Sequence, residues 1–250
     1  MVRYPQQRAT KRMHTSVQIL FMDIAGGVPP EQELLPRLHP EEQSRYRTFS
    51  ADARRRSWLA GRALALAALA RVSAQVDAKA LRTEESGGMR YADGALHLSL
   101  SHCRDLIGIA LSTTRVGLDI EWPQPRTSVD LAARVFSAAE AAWLDTLAAG
   151  ERRDAFYTLW TLKEAACKAA GLSLWESLRY ACFDPIAGRY TLEAPFPGGE
   201  WAFVHARLEA GWRLALAIRG APPEIGCWRM MAPQLWRQET LVQPASIYAR

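Results

Sequence analysis

The chain has 250 residues, of which 49% are hydrophobic and 23% are charged, a balance typical of a globular protein with a packed core. No apolar run approaches the roughly 20 residues that a membrane helix needs, so a membrane protein is not expected. Lys and Arg number 31 and Asp and Glu number 26, and the net charge of +5 favours anionic partners: phosphorylated cofactors, nucleic acid or an acidic protein.

The four cysteines, at positions 103, 167, 182 and 227, include no Cys-x-x-Cys pair, so a zinc site is not expected. No signal peptide is recognisable, which predicts free thiols and a cytoplasmic location. Residues 1–14 are basic without acids, and we expect them to form a flexible tail.

The first hundred residues predict strands around one long helix. Residues 17–24 predict a strand, and the loop after it is expected to hold one short helix. Residues 50–72 predict a long helix whose start Ser50 caps. A turn or short hairpin at 85–95 then leads to residues 95–103, where apolar and polar side chains alternate as in a half-buried strand.

Two more strands and a helix come next. Residues 106–113 predict a partner for the preceding strand, and residues 116–122 predict a further strand. The segment 136–150 is predicted to be helical, because Ser137 and Glu140 have the spacing of a capping box.

The remainder of the chain predicts one more long helix and then β-structure. Residues 151–171 predict a helix that Gly171 closes. Residues 201–220 contain two apolar runs joined by a short turn, which indicates a hairpin. Residues 221–250 are expected to form an irregular tail.

This order of elements predicts an α+β fold. We place one subdomain at residues 15–114 and a second at 115–220, flanked by the tails at 1–14 and 221–250.

Two acids lie one residue apart in the strand at 116–122. Side chains at positions i and i+2 of a strand share one face and lie about 7 Å apart, so Asp119 and Glu121 repel each other unless a cation lies between them. Mg²⁺ is commonly bound through one or two carboxylates together with substrate phosphates. Taken alone, the pair is equally typical of two solvated acids at a strand edge.

The helix at 151–171 carries a second group of polar side chains. One sector of this helix is shared by Trp160, Lys163, Glu164, Cys167 and Lys168, which are spaced by three and four residues. Glu164 and Lys168 have the spacing of an i,i+4 ion pair, which by itself is typical of an ordinary helix surface.

Two other segments suit a phosphate ligand. Ser101 and His102 end a strand, and a bend there would let both donate to one phosphate. The start of the long helix carries Arg54, Arg55, Arg56 and Arg62, and a helix N-terminus with arginines is a natural anion site, although a solvated basic face has the same composition.

Together, these patterns resemble the signature of the 4′-phosphopantetheinyl transferases: a Gly-x-Asp-x-Glu strand followed by a Trp-x-x-Lys-Glu-x-x-x-Lys helix. The signature positions are Gly117, Asp119, Glu121, Trp160, Lys163, Glu164 and Lys168. Residues 54–65, 99–103 and 134–140 resemble other stretches of the family, and the likeness runs from about residue 45 to residue 180.

The resemblance implies a fold of two similar α/β subdomains with the active site at their interface, as in the Sfp-like members. It implies transfer of the phosphopantetheine arm of coenzyme A to a serine of an acidic apo carrier protein, with release of adenosine 3′,5′-bisphosphate. Mg²⁺, or Mn²⁺, would be the metal. A cytoplasmic monomer that binds neither nucleic acid nor membrane is expected.

The resemblance also implies roles for particular residues. Asp119, Glu121 and Glu164 would bind the metal, Lys168 would neutralise charge on the departing phosphate, and the base would be Glu164 or a water held by Glu121. These four residues are the catalytic candidates. The candidates for cofactor binding are Arg55, Arg56, Arg62, Arg90, Ser101, His102, Lys163 and Lys168.

The chain departs from the family pattern before the strand at 95–103. Relatives carry Gly-Lys-Pro there, whereas Gly88 is followed by Met89 and Arg90, so Arg90 is the candidate for the lysine contact.

Two other classes of protein stay open. One is a non-catalytic relative that binds a carrier protein or coenzyme A, and the other is a basic nucleic-acid-binding protein, for which the sequence offers no recognised motif.

Overall fold

The computed structural model shows a mixed α+β protein built on three sheets. It describes residues 16–73, 75–84, 88–91, 94, 96–124, 135–208, 211–221, 224–232 and 235–248. The predicted basic tail at 1–14 and much of the turn at 85–95 lie outside the described residues.

Six α-helices are present in the described ranges. They are α1 (Glu31–Leu34), α2 (Pro40–Arg47), α3 (Asp52–Val72), α4 (Ala138–Asp145), α5 (Ala149–Ala170) and α6 (Leu174–Ser177). No helix among the described residues has both the length and the apolar character needed to cross a bilayer.

Thirteen strands complete the described structure. They are β1 (Ser16–Asp23), β2 (Leu81–Thr83), β3 (Met89–Tyr91), β4 (His97–Cys103), β5 (Leu106–Ser112), β6 (Val116–Glu121), β7 (Ala181–Asp184), β8 (Arg189–Leu192), β9 (Trp201–Arg207), β10 (Arg213–Arg219), β11 (Glu224–Ala232), β12 (Leu235–Gln238) and β13 (Val242–Tyr248).

The strands form a seven-stranded sheet, a four-stranded sheet and a two-stranded hairpin. The seven-stranded sheet has the order β12-β11-β1-β5-β4-β3-β2, and within it β1 and β11 pair in parallel. The four-stranded sheet has the order β13-β9-β10-β6, with antiparallel pairs throughout. Strands β7 and β8 form the hairpin.

Two serines of β4 join the larger sheets. The hydroxyl of Ser99 accepts a hydrogen bond from the backbone N–H of Leu118, and the hydroxyl of Ser101 accepts one from Ile120. Strand β6 is the edge of its own sheet, so these side chains satisfy N–H groups that no neighbouring strand would pair. This junction brings the end of β4 against the acidic strand.

Helix α5 lies on the other side of β6, and a glycine permits the close approach. A Cβ atom at Gly117 would lie 2.0 Å from the carbonyl oxygen of Ala165 and 2.6 Å from the backbone nitrogen of Ala169. The helix backbone therefore rests directly on the strand. Its apolar face, including Leu159 and Leu162, is buried in a core shared with β9 and β10.

Helix α3 covers the seven-stranded sheet. Its buried residues, including Leu64 and Leu69, pack with Ile107 and Ile109 of β5. A Cβ atom at Gly61 would lie 2.9 Å from the Leu100 side chain, so this helix also sits close to β4.

Several local predictions are confirmed. Ser137 and Glu140 form both hydrogen bonds of the capping box at the start of α4. Gly171 ends α5 in the left-handed conformation, with φ of 70°, which glycine adopts without steric cost. The predicted hairpin within 201–220 is the pair β9 and β10.

Other local predictions are wrong. Ser50 does not cap α3, because the residue at the N-cap is Ala51 and no side chain bonds there. The helix predicted to end at Gly150 ends at Asp145, since α5 already begins at Ala149. The loop after β1 holds two short helices, α1 and α2, instead of one.

The largest error concerns the C-terminal segment, which is not an irregular tail. Strand β11 pairs with β1 and β13 pairs with β9, so this segment contributes to both large sheets. The apolar residues of this segment are irregularly spaced, so their pattern does not predict strands. Its partner strands also lie far away in the sequence, so no local signal indicates the pairing.

The contact at Gly117 gives a stability prediction. Replacing Gly117 by Ala should lower the free energy of unfolding by about 1–3 kcal/mol or more, because the added methyl group collides with the backbone of α5. Urea unfolding followed by circular dichroism measures the change. Gly150→Ala in the same helix is the control, since its Cβ would meet no atom within 4 Å, and it should cost nothing. Equal stability of both variants would contradict the proposed close contact.

Candidate functional site

Three carboxylates converge where β6 meets α5. Asp119, Glu121 and Glu164 each offer one oxygen atom, and these atoms lie within 4.8 Å of one another. Asp119 is buried and the other two are partly buried. The structure thus brings together all three residues that the sequence proposed as metal ligands.

Lys168 lies one helical turn beyond Glu164 and bonds the same group. Its Nζ atom is 2.6 Å from Oδ1 of Asp119 and 3.5 Å from Oε2 of Glu164. It also lies 3.3 Å from the Ser101 hydroxyl, which donates to Oδ1 of Asp119 at 3.0 Å. One cation therefore balances only part of the negative charge in this cluster.

The crowding changes how these groups ionise. Burial, together with the Asp119 charge, raises the pKa of Glu164 to about 8 despite the favourable charge of Lys168. Burial and Asp119 also raise the pKa of Glu121, against hydrogen bonds from Cys103 and Trp160. Burial opposes the charge on Lys168, but Asp119 and Glu164 outweigh it and raise its pKa.

The cluster has the features of a divalent cation site. The Oδ2 atom of Asp119 is buried and has no hydrogen-bond partner among the described residues. Buried carboxylate oxygens without a partner are costly, and a bound cation would satisfy this one while relieving the repulsion that raises the pKa of Glu164. An all-oxygen donor set suits Mg²⁺ and similar hard cations.

The end of β4 borders this cluster, as the sequence indicated for Ser101 and His102. Partial desolvation and the positive charge of Lys168 lower the pKa of His102, with a smaller contribution from Arg54 and an opposing one from Asp119. Arg54 of α3 thus lies close enough to His102 to act on it. Sequence reasoning noted Arg54 but selected its neighbours, because spacing alone does not show which way each arginine points.

Cys103 contacts the cluster as well. Its thiol donates to Glu121 at 3.3 Å, and burial together with the Glu121 charge raises its pKa to about 12. A thiol that stays protonated is a poor nucleophile.

A cleft of about 650 Å³ leads away from the cluster on the Lys168 side. Arg90 of β3 lies opposite His97 of β4 in register, and both line the cleft together with Ser99 and Arg115. The cleft therefore carries several cationic groups. Arg115 was not selected from the sequence, because it lies in a turn whose partner, the end of α5, is 55 residues further on.

Lys163 is not at this site, although it precedes Glu164. Its side chain is 0% exposed, and Nζ lies 2.8 Å from the Glu140 carboxylate and donates to the carbonyl oxygens of Leu178 and Ala181. The expectation that Lys163 contacts the cofactor is therefore corrected: this lysine connects α5 to α4 and to the start of β7.

Arg62, a candidate for cofactor binding, is paired with Glu42 and also lines the cleft. It is 5% exposed, and its guanidinium makes a bidentate approach to Oε2 of Glu42 at 2.9 and 2.8 Å and bonds Thr83. Its guanidinium carbon lies 4.0 Å from the centre of the Trp58 ring, and a contact of this residue with the cofactor stays a prediction.

Arg55 and Arg56 face a different cavity from the one beside Lys168. They line a recess of about 450 Å³ with Glu31, Tyr46 and Asp52. Arg55 donates to the carbonyl oxygen of Phe49 and lies 4.0 Å from Asp52. The structure therefore does not bring these two arginines to the carboxylates.

Comparison with known proteins adds an independent finding. A family model described as the 4′-phosphopantetheinyl transferase superfamily matches residues 115–217, which run from just before β6 into β10 and include the acidic cluster. The chain is similar to AcpT of Salmonella typhimurium strain LT2, with 39% identity over 126 residues, 49% of this chain and 62% of that protein.

Two other relatives are, like AcpT, named as 4′-phosphopantetheinyl transferases. HetI of Nostoc sp. is 31% identical over 147 residues, covering 56% of this chain and 62% of HetI. Sfp of Bacillus subtilis strain 168 is 28% identical over 158 residues, covering 62% of this chain and 70% of Sfp. The chain thus spans somewhat less than two thirds of the length of AcpT and HetI.

The raised pKa of Glu164 predicts a pH-dependent stability of the metal-free protein. The folded chain keeps this proton up to about pH 8, whereas the unfolded chain releases it near 4.5, so the unfolded state binds fewer protons between these values. The free energy of unfolding should therefore fall as the pH rises from 5 to 8, by up to about 1.4 kcal/mol per pH unit.

Urea unfolding in the presence of a chelator, at pH 6, 7 and 8, measures this slope. Glu164→Gln should make the free energy of unfolding depend less on pH. The wild type and this variant share all histidines and cysteines, so subtracting one slope from the other removes the contributions of those residues. Identical slopes would show that the carboxylate is not destabilised by its neighbours.

The buried Lys163–Glu140 pair gives a second prediction. Lys163→Met should lower the free energy of unfolding by about 3–5 kcal/mol, because it leaves a buried carboxylate without its cation. Adding Glu140→Gln to this variant should restore part of the loss, since the uncompensated charge is then removed. Chemical denaturation of both variants tests this. If the double variant is less stable than Lys163→Met alone, the result would argue against the pairing.

Proposed function

We propose that the chain is a member of the 4′-phosphopantetheinyl transferase superfamily and that it transfers the 4′-phosphopantetheine group of coenzyme A to a serine of an apo carrier protein. Adenosine 3′,5′-bisphosphate is the other product. The observation that supports this most directly is the set of three converging carboxylates beside Lys168, which also borders a cationic cleft.

Asp119, Glu121 and Glu164 are the proposed metal ligands. The bound ion, Mg²⁺ or Mn²⁺, supplies positive charge that offsets the charge of the pyrophosphate in the transition state. The buried, unpartnered Oδ2 atom of Asp119 supports this assignment.

Phosphoryl-type transfer depends mainly on positioning and on charge stabilisation, so no covalent enzyme intermediate is required. The carrier serine oxygen forms a bond to the β-phosphorus as the bond from that phosphorus to the bridging oxygen breaks. Lys168 stabilises the negative charge that develops on the departing phosphate. The serine proton passes to Glu164 or to a water held by Glu121.

The cleft is the proposed binding site for coenzyme A. Arg90 lines the cleft, and Ser101, which lies 3.3 Å from Nζ of the cleft-lining Lys168, offers with its neighbour His102 further donors to phosphate. Arg90 is thus in position to replace the lysine that relatives carry before this strand. Arg55 and Arg56 keep a role only if the adenosine end extends to the neighbouring recess.

The acidic cluster is formed by residues of β6 and α5 from one chain, with Ser101 of β4 bonded to it. This supports a monomer of two similar subdomains, with their division near residue 115 and the site between them. Strands β11 and β12 extend the sheet of the first subdomain, and β13 extends that of the second. We further propose that the protein acts in the cytoplasm, without nucleic acid or membrane.

The positive net charge supports an acidic partner. Opposite charge accelerates encounter, and carrier proteins that are acidic around the modified serine are suited to a chain with a charge of +5.

Incubation with coenzyme A, Mg²⁺ and apo carrier proteins of the fatty-acid, polyketide and nonribosomal-peptide classes tests the proposal. Intact-mass measurement should show the gain of one phosphopantetheine group on at least one carrier. Asp119→Asn should reduce the rate by about 100-fold or more, because it removes one charge from the metal site.

Glu200→Gln is the control, because it neutralises an exposed acid outside the cluster. It should keep full activity. No mass gain on any carrier, together with measurable coenzyme A binding, would instead favour a non-catalytic relative. Full activity of Asp119→Asn would reject the metal assignment.

A further inference from the structure

A tryptophan is exposed next to the acidic cluster. Trp175 of α6 is 66% exposed, and its ring centroid lies 6.3 Å from that of Trp160 on α5. The Trp160 side chain in turn hydrogen-bonds Glu121. A large aromatic surface thus continues outward from one of the proposed metal ligands.

The exposure of Trp175 is fixed by the fold. Lys163 donates to the carbonyl oxygen of Leu178, the C-cap of α6, and so anchors the short segment that carries Trp175. Phe156, one helical turn before Trp160 on α5, stacks on the Trp160 ring with an interplanar angle of 8°. The aromatic surface is therefore held in place before any partner binds, which lowers the entropic cost of binding.

The order of residues along α5 assigns the two sides of the site. Trp160, Glu164 and Lys168 follow one another at intervals of four residues, or about 6 Å along the helix axis. Lys168 borders the cationic cleft, whereas Trp160 lies on the opposite side of the carboxylates. In an in-line displacement the attacking oxygen enters opposite the leaving group, so the acceptor approaches from the Trp160 side.

Charge on that side suits an acidic partner. Asp154, further towards the start of α5, is shared by Arg207 at 2.6 Å and Arg213 at 2.8 Å, so this group keeps a net positive charge. The Arg207 side chain is partly exposed. Aromatic and arginine side chains are both enriched in strong protein-binding sites.

We propose that Trp175, supported by Trp160, is the docking surface for the serine-bearing segment of the apo carrier protein. An apolar side chain of the carrier packs on the Trp175 ring, and carrier acids face Arg207. This inference rests on the proposed function, and it assigns a residue outside the family signature to partner recognition.

The test compares steady-state transfer by the wild-type chain and by Trp175→Ala. The substitution should raise the KM for the carrier about 10-fold or more, a size typical of a buried tryptophan anchor. The KM for coenzyme A and the rate at saturating carrier should stay unchanged. Trp175→Phe should recover most of the affinity for the carrier. Calorimetry with a carrier whose serine is replaced by alanine should rank the affinities of the wild type, Trp175→Phe and Trp175→Ala in that order.

Ile186→Ala is the matched control, because it removes an exposed apolar side chain on the turn between β7 and β8. It should leave all constants unchanged. An unchanged KM for the carrier in Trp175→Ala, with an active wild type, overturns this inference alone. A rise confined to coenzyme A would place Trp175 on the nucleotide side and also overturn it. Inactivity of the wild type on all carriers would reject the proposed function itself.

Discussion

The backbone contact between α5 and β6 at Gly117 is the constraint on which the site depends. With no side chain at this position, the helix lies directly on the strand, with the carbonyl oxygen of Ala165 where a Cβ would be. Glu164 and Lys168, on either side of that contact, then reach Asp119. Any larger residue at 117 would move the helix outward and separate the carboxylates from the lysine.

This contact brings three carboxylates close together, which lowers the stability of the folded chain. Three carboxylates share one cation, so Glu164 holds its proton to about pH 8 and Oδ2 of Asp119 has no partner among the described residues. The arrangement is unfavourable for the isolated chain and favourable once a divalent cation is bound. A site that sacrifices stability in this way is characteristic of function, since packing alone would not select it.

The positive residues near the site divide into two groups with different tasks. Lys168 and Arg90 border the cleft, and Lys168 is at the same time paired with Asp119 and Glu164. Lys163 and Arg62 are buried ion-pair partners of Glu140 and Glu42, and they hold helices and strands in register. Lys163 also influences the surroundings of the site, because it anchors the segment that carries Trp175.

The sequence by itself determined the α+β class, the cap at Ser137 and the end of α5 at Gly171, because these depend on short-range spacing. The acidic triad follows from the family resemblance, and the tertiary structure brings Glu164 to Asp119 and Glu121. The tertiary structure decided which way each cation points, because Lys163 and Arg62 look the same as ligand-binding residues until their buried acids are seen. It also decided the fate of the C-terminal segment, whose strands pair with β1 and β9 across long separations that local periodicity does not encode.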